Sequence, residues 1–340
     1  MEGPGHIVTF GESLIRLSPA DHLRLQQTRV YESFFGGAEA NVAVSLARFG
    51  LPVQYVTCLP DNDLGLACRH YLRQHGVGVD FIEMRGDRLG LYFLEVGSGH
   101  RPSRVIYDRT GSAFAAMDAD AIPWREVFAG AGWFHWSGIN PAVSAGAAAA
   151  TAQAVASARQ AGLVVSCDLN YRQRLWQWGA PPSAVMPDLV RQSDILVANA
   201  ASPMLGLPDL PVGRNPAEAA AACTQLSGLF PNLRQIAMTC REVDPAGDQR
   251  YTAVMWQAGR LVTSPTFMIR HIVDRVGAGD AFMAGLIYGL VSYPDDPQRV
   301  VDFAAACAVF KHTIPGDANL AGREEIAQLL VTGNGYDIIR

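Results

Sequence analysis

The sequence predicts an α/β fold built around a mostly parallel β-sheet, with a second, smaller sheet. Three observations support this: an apolar composition, an alternation of β-rich and helical stretches through the middle of the chain, and two extended segments that interrupt it. Of the 340 residues, 49% are hydrophobic and 17% are charged, which is typical of a globular chain with a full core. We therefore expect one large domain with at most a small appendage.

Short runs rich in β-branched and aromatic residues alternate with segments of helical periodicity. The predicted strands span residues 53–57, 133–137, 163–168, 195–198 and 235–239. The predicted helices span residues 64–75, 144–161, 183–191 and 217–229. Strand–helix–strand units of this kind form parallel sheets, whose ligands bind beyond the carboxyl ends of the strands. Five polar residues follow predicted strands directly and belong to that edge: Asn140, Asp168, Asn170, Arg172 and Asn199.

Two extended segments, 13–35 and 89–107, contain turn sequences and are not followed at once by a crossover helix. We expect them to form a small separate sheet over one edge of the site. The predicted division is an α/β domain of residues 1–12, 36–88 and 110–340 and a β-sheet lid of residues 13–35 and 89–109. Exposed strand edges of a lid offer a surface to a second copy of the chain, so a homodimer through the lid is one expectation.

The charge balance argues against nucleic acid or an anionic membrane as the main partner. The net charge is −5 and the isoelectric point is about 5.9, which leaves no basic footprint. The first residues lack a signal-peptide pattern and no segment is apolar and long enough to span a bilayer, so we expect a cytoplasmic protein. The six cysteines form no C-x-x-C pair, which favours reduced thiols in the core.

The single lysine of the chain, Lys311, excludes one class of phosphate site. It is followed by His312 and stands in no glycine-rich loop, whereas a P-loop requires lysine followed by serine or threonine. A dinucleotide fingerprint also fails, because Phe282 occupies the position of its third small residue. A nicotinamide-dependent oxidoreductase is therefore a remote alternative.

The segment 274–282 (DRVGAGDAF) predicts a phosphate-binding turn at the start of a helix. Apolar residues recur at helical spacing beyond it, so residues 277–280 form the first turn, whose amides have no partner within the helix. Glycines there let an anion approach the positive end of the helix dipole. Asp280 would repel a phosphate at contact range, and it makes chemical sense if it holds the hydroxyl that attacks. The alternative is an ordinary acidic first turn after a glycine-containing loop.

A second glycine motif, at residues 36–43 (GGAEANVA), opens another predicted helix. Together with 274–280 (DRVGAGD), it resembles the two signatures of the PfkB, or ribokinase-like, family of carbohydrate kinases, and the resemblance covers essentially the whole chain. It implies a ribokinase-like three-layer α/β/α sandwich with a mostly parallel central sheet and a small β-sheet lid. ATP and Mg²⁺ are the implied cofactors.

The resemblance also implies roles for the two motifs. Asp280 would be the general base on the substrate hydroxyl. The amides of Gly277, Ala278 and Gly279 would form the anion hole for the migrating phosphoryl group. The residues implied to contact the sugar from the first motif are Gly36, Gly37 and Asn41.

Several stretches look like the substrate-binding segments of the 2-keto-3-deoxygluconate kinases within this family. On that resemblance Tyr92, Tyr107, Arg109 and Arg172 hold a sugar acid with its 6-hydroxyl directed at Asp280. A carboxylate suits the bidentate geometry of a guanidinium, whereas a neutral hexose offers it little. A kinase for a neutral sugar such as fructose or ribose is the nearest alternative.

The nucleotide side is expected to include Gly277, Gly279 and five further residues: Asn170, Asn199, Thr239, Arg241 and Lys311. Two positions depart from the family pattern. Ser202 stands where the family usually has a glutamate that is tied to magnesium, and Arg241 stands where many relatives have glycine. Serine brings no negative charge to a hydrated Mg²⁺, so the metal ligands stay unassigned. A catalytically impaired protein that binds sugar acid or nucleotide is therefore an alternative of another class.

Overall fold

The computed structural model describes residues 5–243 and 249–332, and the elements below belong to these residues. The strands are β1 (His6–Phe10), β2 (Leu14–Pro19), β3 (Tyr31–Gly36), β4 (Val53–Leu59), β5 (Ile82–Met84), β6 (Gly90–Glu95), β7 (Arg104–Asp108), β8 (Ala131–Ser137), β9 (Val164–Asp168), β10 (Ile195–Val197), β11 (Gln235–Val243), β12 (Gln249–Gln257), β13 (Arg260–Thr263) and β14 (Phe267–Ile269). The α-helices are α1 (Ala38–Arg48), α2 (Asp63–Gln74), α3 (Trp124–Val127), α4 (Asn140–Val143), α5 (Ala145–Gln160), α6 (Pro182–Val190), α7 (Ala201–Leu205), α8 (Pro216–Leu229), α9 (Ala278–Ser292), α10 (Pro297–Lys311) and α11 (Arg323–Thr332).

The large sheet has the strand order β13-β12-β11-β10-β9-β8-β1-β4-β5, with β14 also paired to β12. Neighbours from β11 to β5 run parallel, while β12 pairs antiparallel with β11, β13 and β14. This confirms the predicted mostly parallel sheet. The sequence did not predict β1 or the antiparallel strands β12 to β14.

A second sheet of four strands has the order β3-β2-β6-β7. The central pair β2 and β6 is parallel, and β3 and β7 are antiparallel edge strands. The predicted smaller sheet is thus confirmed, and its strands come from the two extended segments. The division of the chain into a lid and a main domain at the predicted residues stays a prediction.

Successive residues of each central strand point to opposite faces of the large sheet. In β10, Ile195 and Val197 join the apolar core under α1, α9 and α10, whereas Leu196 joins the core under α5, α6 and α8. A helical layer therefore covers each face, and the short, wholly buried β10 lies at the centre. This is the ribokinase-like α/β/α arrangement that the sequence predicts.

The helices differ in how their first turns are capped. Side chains of Asn62, Ser144 and Asn215 accept backbone amides at the starts of α2, α5 and α8. Helices α1 and α9 begin instead at Gly37 and Gly277, and neither has a side-chain cap. The first amides of α1 and α9 are therefore left to other partners.

The largest error in a predicted boundary is at the end of β11, and the reason is a hairpin. The strand predicted to end at residue 239 continues to Val243, because β12 pairs with it and aligns Arg241 with Tyr251. Thr239, the predicted last residue of the strand, is therefore in the middle of β11, and Arg241 lies within β11 instead of in a loop after it.

All six cysteines are buried and carry free thiols. No helix within residues 5–243 and 249–332 has the length and apolar character needed to cross a membrane.

Candidate active site

The two glycine motifs meet at the carboxyl ends of the parallel strands. The side-chain amide of Asn41, in the first turns of α1, donates to Asp280 Oδ2 at 2.7 Å, although the two residues are 239 positions apart in the chain. Asp280 lies in the first turn of α9 and is only half-buried. The structure thus joins the predicted base to a predicted sugar contact, as one pair on two glycine-capped helices.

The turn before α9 requires glycine at one position and is open at another. Gly277 has a φ of 79°, and a Cβ there would lie 1.8 Å from the carbonyl oxygen of Asp317. A Cβ on Gly279 would meet no atom within 4 Å. Open space in front of uncapped helix amides is the geometry in which an anion binds.

Gly36 and Gly37 are also constrained by close neighbours. A Cβ on Gly36 would lie 2.1 Å from Asp317 Oδ2, and one on Gly37 would lie 2.1 Å from the Glu12 carbonyl oxygen. Gly37 has a φ of 146°, in the region that favours glycine. Packing alone therefore explains both glycines, and their contact with a sugar stays a prediction.

Asp280 has the electrostatics of a base that works near neutral pH. Its pKa is raised to about 7: burial is the main cause and the charges of Asp168 and Asp317 add to it, while the hydrogen bond from Asn41 and the charge of Arg172 act in the opposite direction. A general base is most effective when its pKa lies near the working pH.

A second carboxyl group, that of Glu39, lies under the site and was given no role by the sequence. Glu39 belongs to the first glycine motif, is 1% exposed, and its Oε1 has no hydrogen-bond partner among the described residues. Burial raises its pKa to about 8, hydrogen bonds with Ser137 lower it, and the charge of Asp280 raises it. Burial thus favours the neutral form of the Glu39 carboxyl group. An acidic residue between small apolar ones was the available sequence signal.

Asp168 ends β9 beside the same site. Its carboxylate accepts the backbone amide of Asn170 at 3.0 Å, and Asn170 adopts a left-handed conformation with a φ of 39°. Burial raises the pKa of Asp168 to about 6, while Asn170 and the charge of Arg172 lower it. The sequence placed Asp168 at this edge without assigning it a function.

A cleft of about 450 Å³ opens between β7 and the segment 171–174. Tyr107 and Arg172, two of the predicted sugar contacts, both line it. Arg104 and Arg174 line it as well, and the three guanidinium-bearing residues are all exposed. The cleft is therefore positively charged, and Arg104 and Arg174 are additions that sequence reasoning missed.

The other two predicted sugar contacts have partners inside the protein. Arg109 is buried and donates from Nε to Glu12 Oε2 at 2.7 Å, with a second bond from Nη2. Glu12 also accepts the hydroxyl of Ser112 at 2.5 Å. The hydroxyl of Tyr92 donates to Asp317. These placements differ from the expected direct contacts, whose role towards a sugar stays a prediction.

On the nucleotide side, the structure brings Asn199 and Thr239 together. The Asn199 side-chain amide donates to the Thr239 carbonyl at 2.8 Å and accepts the Thr239 backbone amide at 3.0 Å. These two hydrogen bonds join the segment after β10 to the middle of β11. Arg241 is exposed, with its guanidinium carbon 5.6 Å from the Tyr251 ring centroid.

Lys311 lies behind the turn, not on an open surface. It is fully buried, its Nζ donates to the Ile314 carbonyl at 2.8 Å, and burial lowers its pKa. A Cβ on Gly277 would lie 3.4 Å from Lys311 Cε. Lys311 therefore packs against the turn in the protein interior, and its expected place beside a nucleotide stays a prediction.

Magnesium has no preformed cage of acidic residues in the described part of the chain. No group of three or more His, Cys, Asp or Glu residues there is arranged to hold a metal ion. Ser202 lies in the five-residue helix α7 after β10. Mg²⁺ commonly takes only one or two carboxylates and completes its coordination shell with phosphates and water. The carboxylates of Asp168 and Asp280 fit an ion that is bound to the phosphates of ATP.

Comparison with known proteins identifies the same fold and chemistry. The profile of the pfkB family of carbohydrate kinases matches residues 5–321. A 2-dehydro-3-deoxygalactonokinase of Haloferax volcanii is 31% identical over 96% of this chain and 97% of its own length. A 2-dehydro-3-deoxygluconokinase of Bacillus subtilis is 28% identical over 95% of this chain and 94% of its own. The crystal structure of a 2-dehydro-3-deoxygluconokinase from Thermotoga maritima superposes with a TM-score of 0.90 at 38% identity, covering 96% of this chain and 99% of that one.

Proposed function

Since the chain belongs to the pfkB family of carbohydrate kinases and is thus a phosphotransferase acting on an alcohol group, we propose that it phosphorylates the 6-hydroxyl of 2-keto-3-deoxygluconate with ATP. The observation that carries the choice of a sugar acid is the cleft lined by Arg104, Arg172 and Arg174. A sugar carboxylate matches the planar fork of a guanidinium, and a neutral sugar leaves such a cleft without a charge partner.

The proposed chemistry centres on Asp280 and the turn before it. Asp280 accepts the proton of the 6-hydroxyl as the hydroxyl oxygen forms its bond to the γ-phosphorus and the bond to the ADP oxygen breaks. The amides at the start of α9 stabilise the charge on the transferred group. Asn41 holds the carboxylate at 2.7 Å, so the orientation of the base is fixed before the sugar arrives.

In this proposal Arg172 and Tyr107 contact the sugar acid directly. Arg172 supplies the charge for the carboxylate, and it also lowers the pKa of Asp280, which indicates that it acts within range of the base. The polar end of Arg109 donates to Glu12 and that of Tyr92 donates to Asp317. To contact the sugar through these atoms, each residue would have to share or break its hydrogen bond. We therefore assign them to the wall of the sugar site.

The nucleotide would lie beyond the ends of β9 to β11, against Asn170, Asn199, Thr239 and Arg241. Mg²⁺ carried by ATP supplies positive charge to the phosphates when bound. Arg241 is exposed at this edge and adds a fixed positive charge to it. Ser202 brings no charge to the nucleotide side of the site. In this proposal, the carboxylates at the strand ends and Arg241 supply the charges on that side.

A coupled assay of ADP release tests the proposal. It compares 2-keto-3-deoxygluconate, its galacto epimer, fructose, ribose and adenosine, each with and without Mg²⁺. We expect turnover with one or both sugar acids and little with the other three. Faster turnover of fructose or ribose would favour the neutral-sugar alternative. Thermal stabilisation by a sugar acid without ADP release would favour the impaired binding protein that Ser202 suggests.

A further inference from the structure

A buried cluster of charged and polar side chains lies directly behind the phosphate-binding turn. We call it the Arg16 cluster, and its members are Arg16, Tyr92, Asp274, Lys311 and Asp317. All five are at most 9% exposed. Apart from Lys311 and Tyr92, none was assigned to ligand binding, and the transfer chemistry proposed above uses none of them. A group of buried charges at this position needs a physical explanation.

Within this cluster, Arg16 connects the small sheet to the segments that follow β14 and α10. It lies on β2 of the small sheet, and its Nη2 donates to Asp274 Oδ2 at 2.6 Å. Its Nη1 lies 3.1 Å from Asp317 Oδ1. The planar guanidinium thus spans two carboxylates that follow β14 and α10. Two other small-sheet residues complete the contact: the ring centroid of Phe34 is 4.5 Å from the Arg16 guanidinium carbon, and Tyr92 donates to Asp317.

Asp274 and Asp317 define the shape of the turn before α9. Asp274 Oδ1 accepts the Val276 amide at 3.0 Å, and its Oδ2 accepts the Gly316 amide at 3.0 Å. The Asp317 carbonyl oxygen occupies the space where any side chain on Gly277 would lie. Asp274 and Asp317 therefore support the backbone of the turn, and Arg16 contacts both of their carboxylates.

We propose that Arg16 is a positioning residue for phosphoryl transfer, which fixes the amides at the start of α9 relative to the small sheet. The inference rests on the proposed function only for its kinetic consequence. Arg16 does not touch the reacting atoms. It keeps the amides of the anion hole in a fixed position relative to the small sheet. Closing of the sugar site and alignment of the phosphoryl group are then coupled. Lysine cannot replace it fully, because a single ammonium does not span two carboxylates as a fork does.

The kinetic test compares Arg16→Lys and Arg16→Met with a matched control, Arg101→Met. Arg101 also belongs to the small-sheet region, and its hydrogen-bond partners among the described residues are Glu95, His22 and Val96, none of which belongs to the turn. We expect Arg16→Met to lower kcat by about 10²-fold and Arg16→Lys by about tenfold, with KM for the sugar nearly unchanged, because misplacement of a catalytic group by about 1 Å has effects of this size. Wild-type kcat in both Arg16 variants would overturn the proposal.

A second measurement does not depend on turnover. Hydrogen exchange of the amides in residues 275–281 is compared between the wild type, Arg16→Lys and Arg101→Met. Arg16→Lys keeps the buried positive charge and should fold, and we expect about tenfold faster exchange in this segment in that variant alone. Unchanged exchange in Arg16→Lys would overturn the proposal. If the wild type transfers no phosphoryl group to any sugar, the proposed function fails, while the exchange result still decides the role of Arg16.

Discussion

Asp280 shows how one residue combines a chemical role with a cost in stability. Its carboxylate is held by Asn41 and its pKa is raised to about 7, mainly by burial. In an unfolded chain the same group titrates at its ordinary, lower pKa. The folded state therefore loses stability as the pH rises from about 4 through 7, because ionisation is easier in the unfolded chain.

The variant Asp280→Asn separates these two effects. We expect turnover to fall by about 10²-fold or more, because the proton acceptor is lost. At pH 8 the variant should also be more stable than the wild type by about 1–3 kcal/mol, and the difference should vanish near pH 3.5. Turnover assays and thermal unfolding at both pH values check this. Full activity in the variant would contradict the assignment of the base.

A substitution at Arg172 tests whether the cleft recognises an acid. We expect Arg172→Ala to raise KM for the sugar acid by about 10-fold to 10²-fold, because a hydrogen bond to a charged group contributes about 1.5–3 kcal/mol. The KM for ATP should change little. Arg191→Ala is the control, since Arg191 is exposed and pairs with Asp188 on α6. Equal KM values for wild type and Arg172→Ala would favour a neutral sugar.

At the scale of single residues, the sequence selected Asp280, Asn41 and Arg172 as candidates because each stands in or beside a recognisable motif, and their roles stay predictions. It did not identify Glu12, Arg16 or Glu39. The partners of Arg16 and Glu12 are 258 and 97 positions away. No local pattern indicates such pairs, because they form only when the two sheets meet.

At the scale of elements, the informative feature is the first turn of α9. Its cap residue, Gly277, has a left-handed backbone and no room for a side chain, whereas Gly279 faces open space. The same residue type therefore serves two purposes within three positions. One glycine permits the fold of the turn, and the other leaves open space beside it, where we expect an anion to approach.

Two matched alanine variants test this difference. Gly277→Ala should lower the free energy of unfolding by about 1–3 kcal/mol, because its Cβ would meet the Asp317 carbonyl oxygen and its φ is unfavourable. Gly279→Ala should leave stability within about 0.5 kcal/mol but lower kcat/KM for ATP, because the new methyl group occupies the anion's space. Denaturant unfolding and steady-state kinetics distinguish the two. Equal effects of both variants on stability would be inconsistent with this account.

Element prediction succeeded where hydrophobic periodicity was long and failed where pairing decided the outcome. Helices α2, α5, α6 and α8 begin and end within one residue of the predicted ranges. The antiparallel strands β12 to β14 and the extension of β11 were missed. A hairpin extends as far as its two strands find partners, and that depends on both strands at once.

At the scale of the whole molecule, the small sheet is both a cover for the site and an exposed surface. Its edge strands are β3 and β7, and large apolar side chains are exposed at Val30, Tyr31 and Ile106. Unpaired strand edges with exposed apolar residues favour association with another chain. The expected homodimer through this sheet is consistent with that surface and stays a prediction.

The variant Ile106→Asp tests the dimer. If two copies associate through the small sheet, the wild type should have twice the monomer mass by light scattering after size-exclusion chromatography. A charge at Ile106 should then shift the protein to the monomer. Leu229→Asp is the control, since Leu229 is 54% exposed at the end of α8, outside the small sheet. A monomeric wild type would rule out this assembly.

The sequence by itself determined the family and the fold class, and it predicted the turn at which a phosphoryl group is transferred. The match to the family over residues 5–321 and the two observed sheets confirm that resemblance. These features are local, since a glycine motif before a helix and an alternation of strands and helices can be recognised within short windows.

Only the tertiary structure decided which charges are free to meet a ligand. It joined Arg109 to Glu12, enclosed Lys311, placed Arg16 across two carboxylates, and left Arg172 exposed in its cleft. The sequence alone does not distinguish an arginine that pairs with a carboxylate inside the protein from one that is exposed to a ligand. Burial and the presence of a carboxylate partner make that distinction. That information is physical and non-local, because the energy of a charge depends on what surrounds it in space.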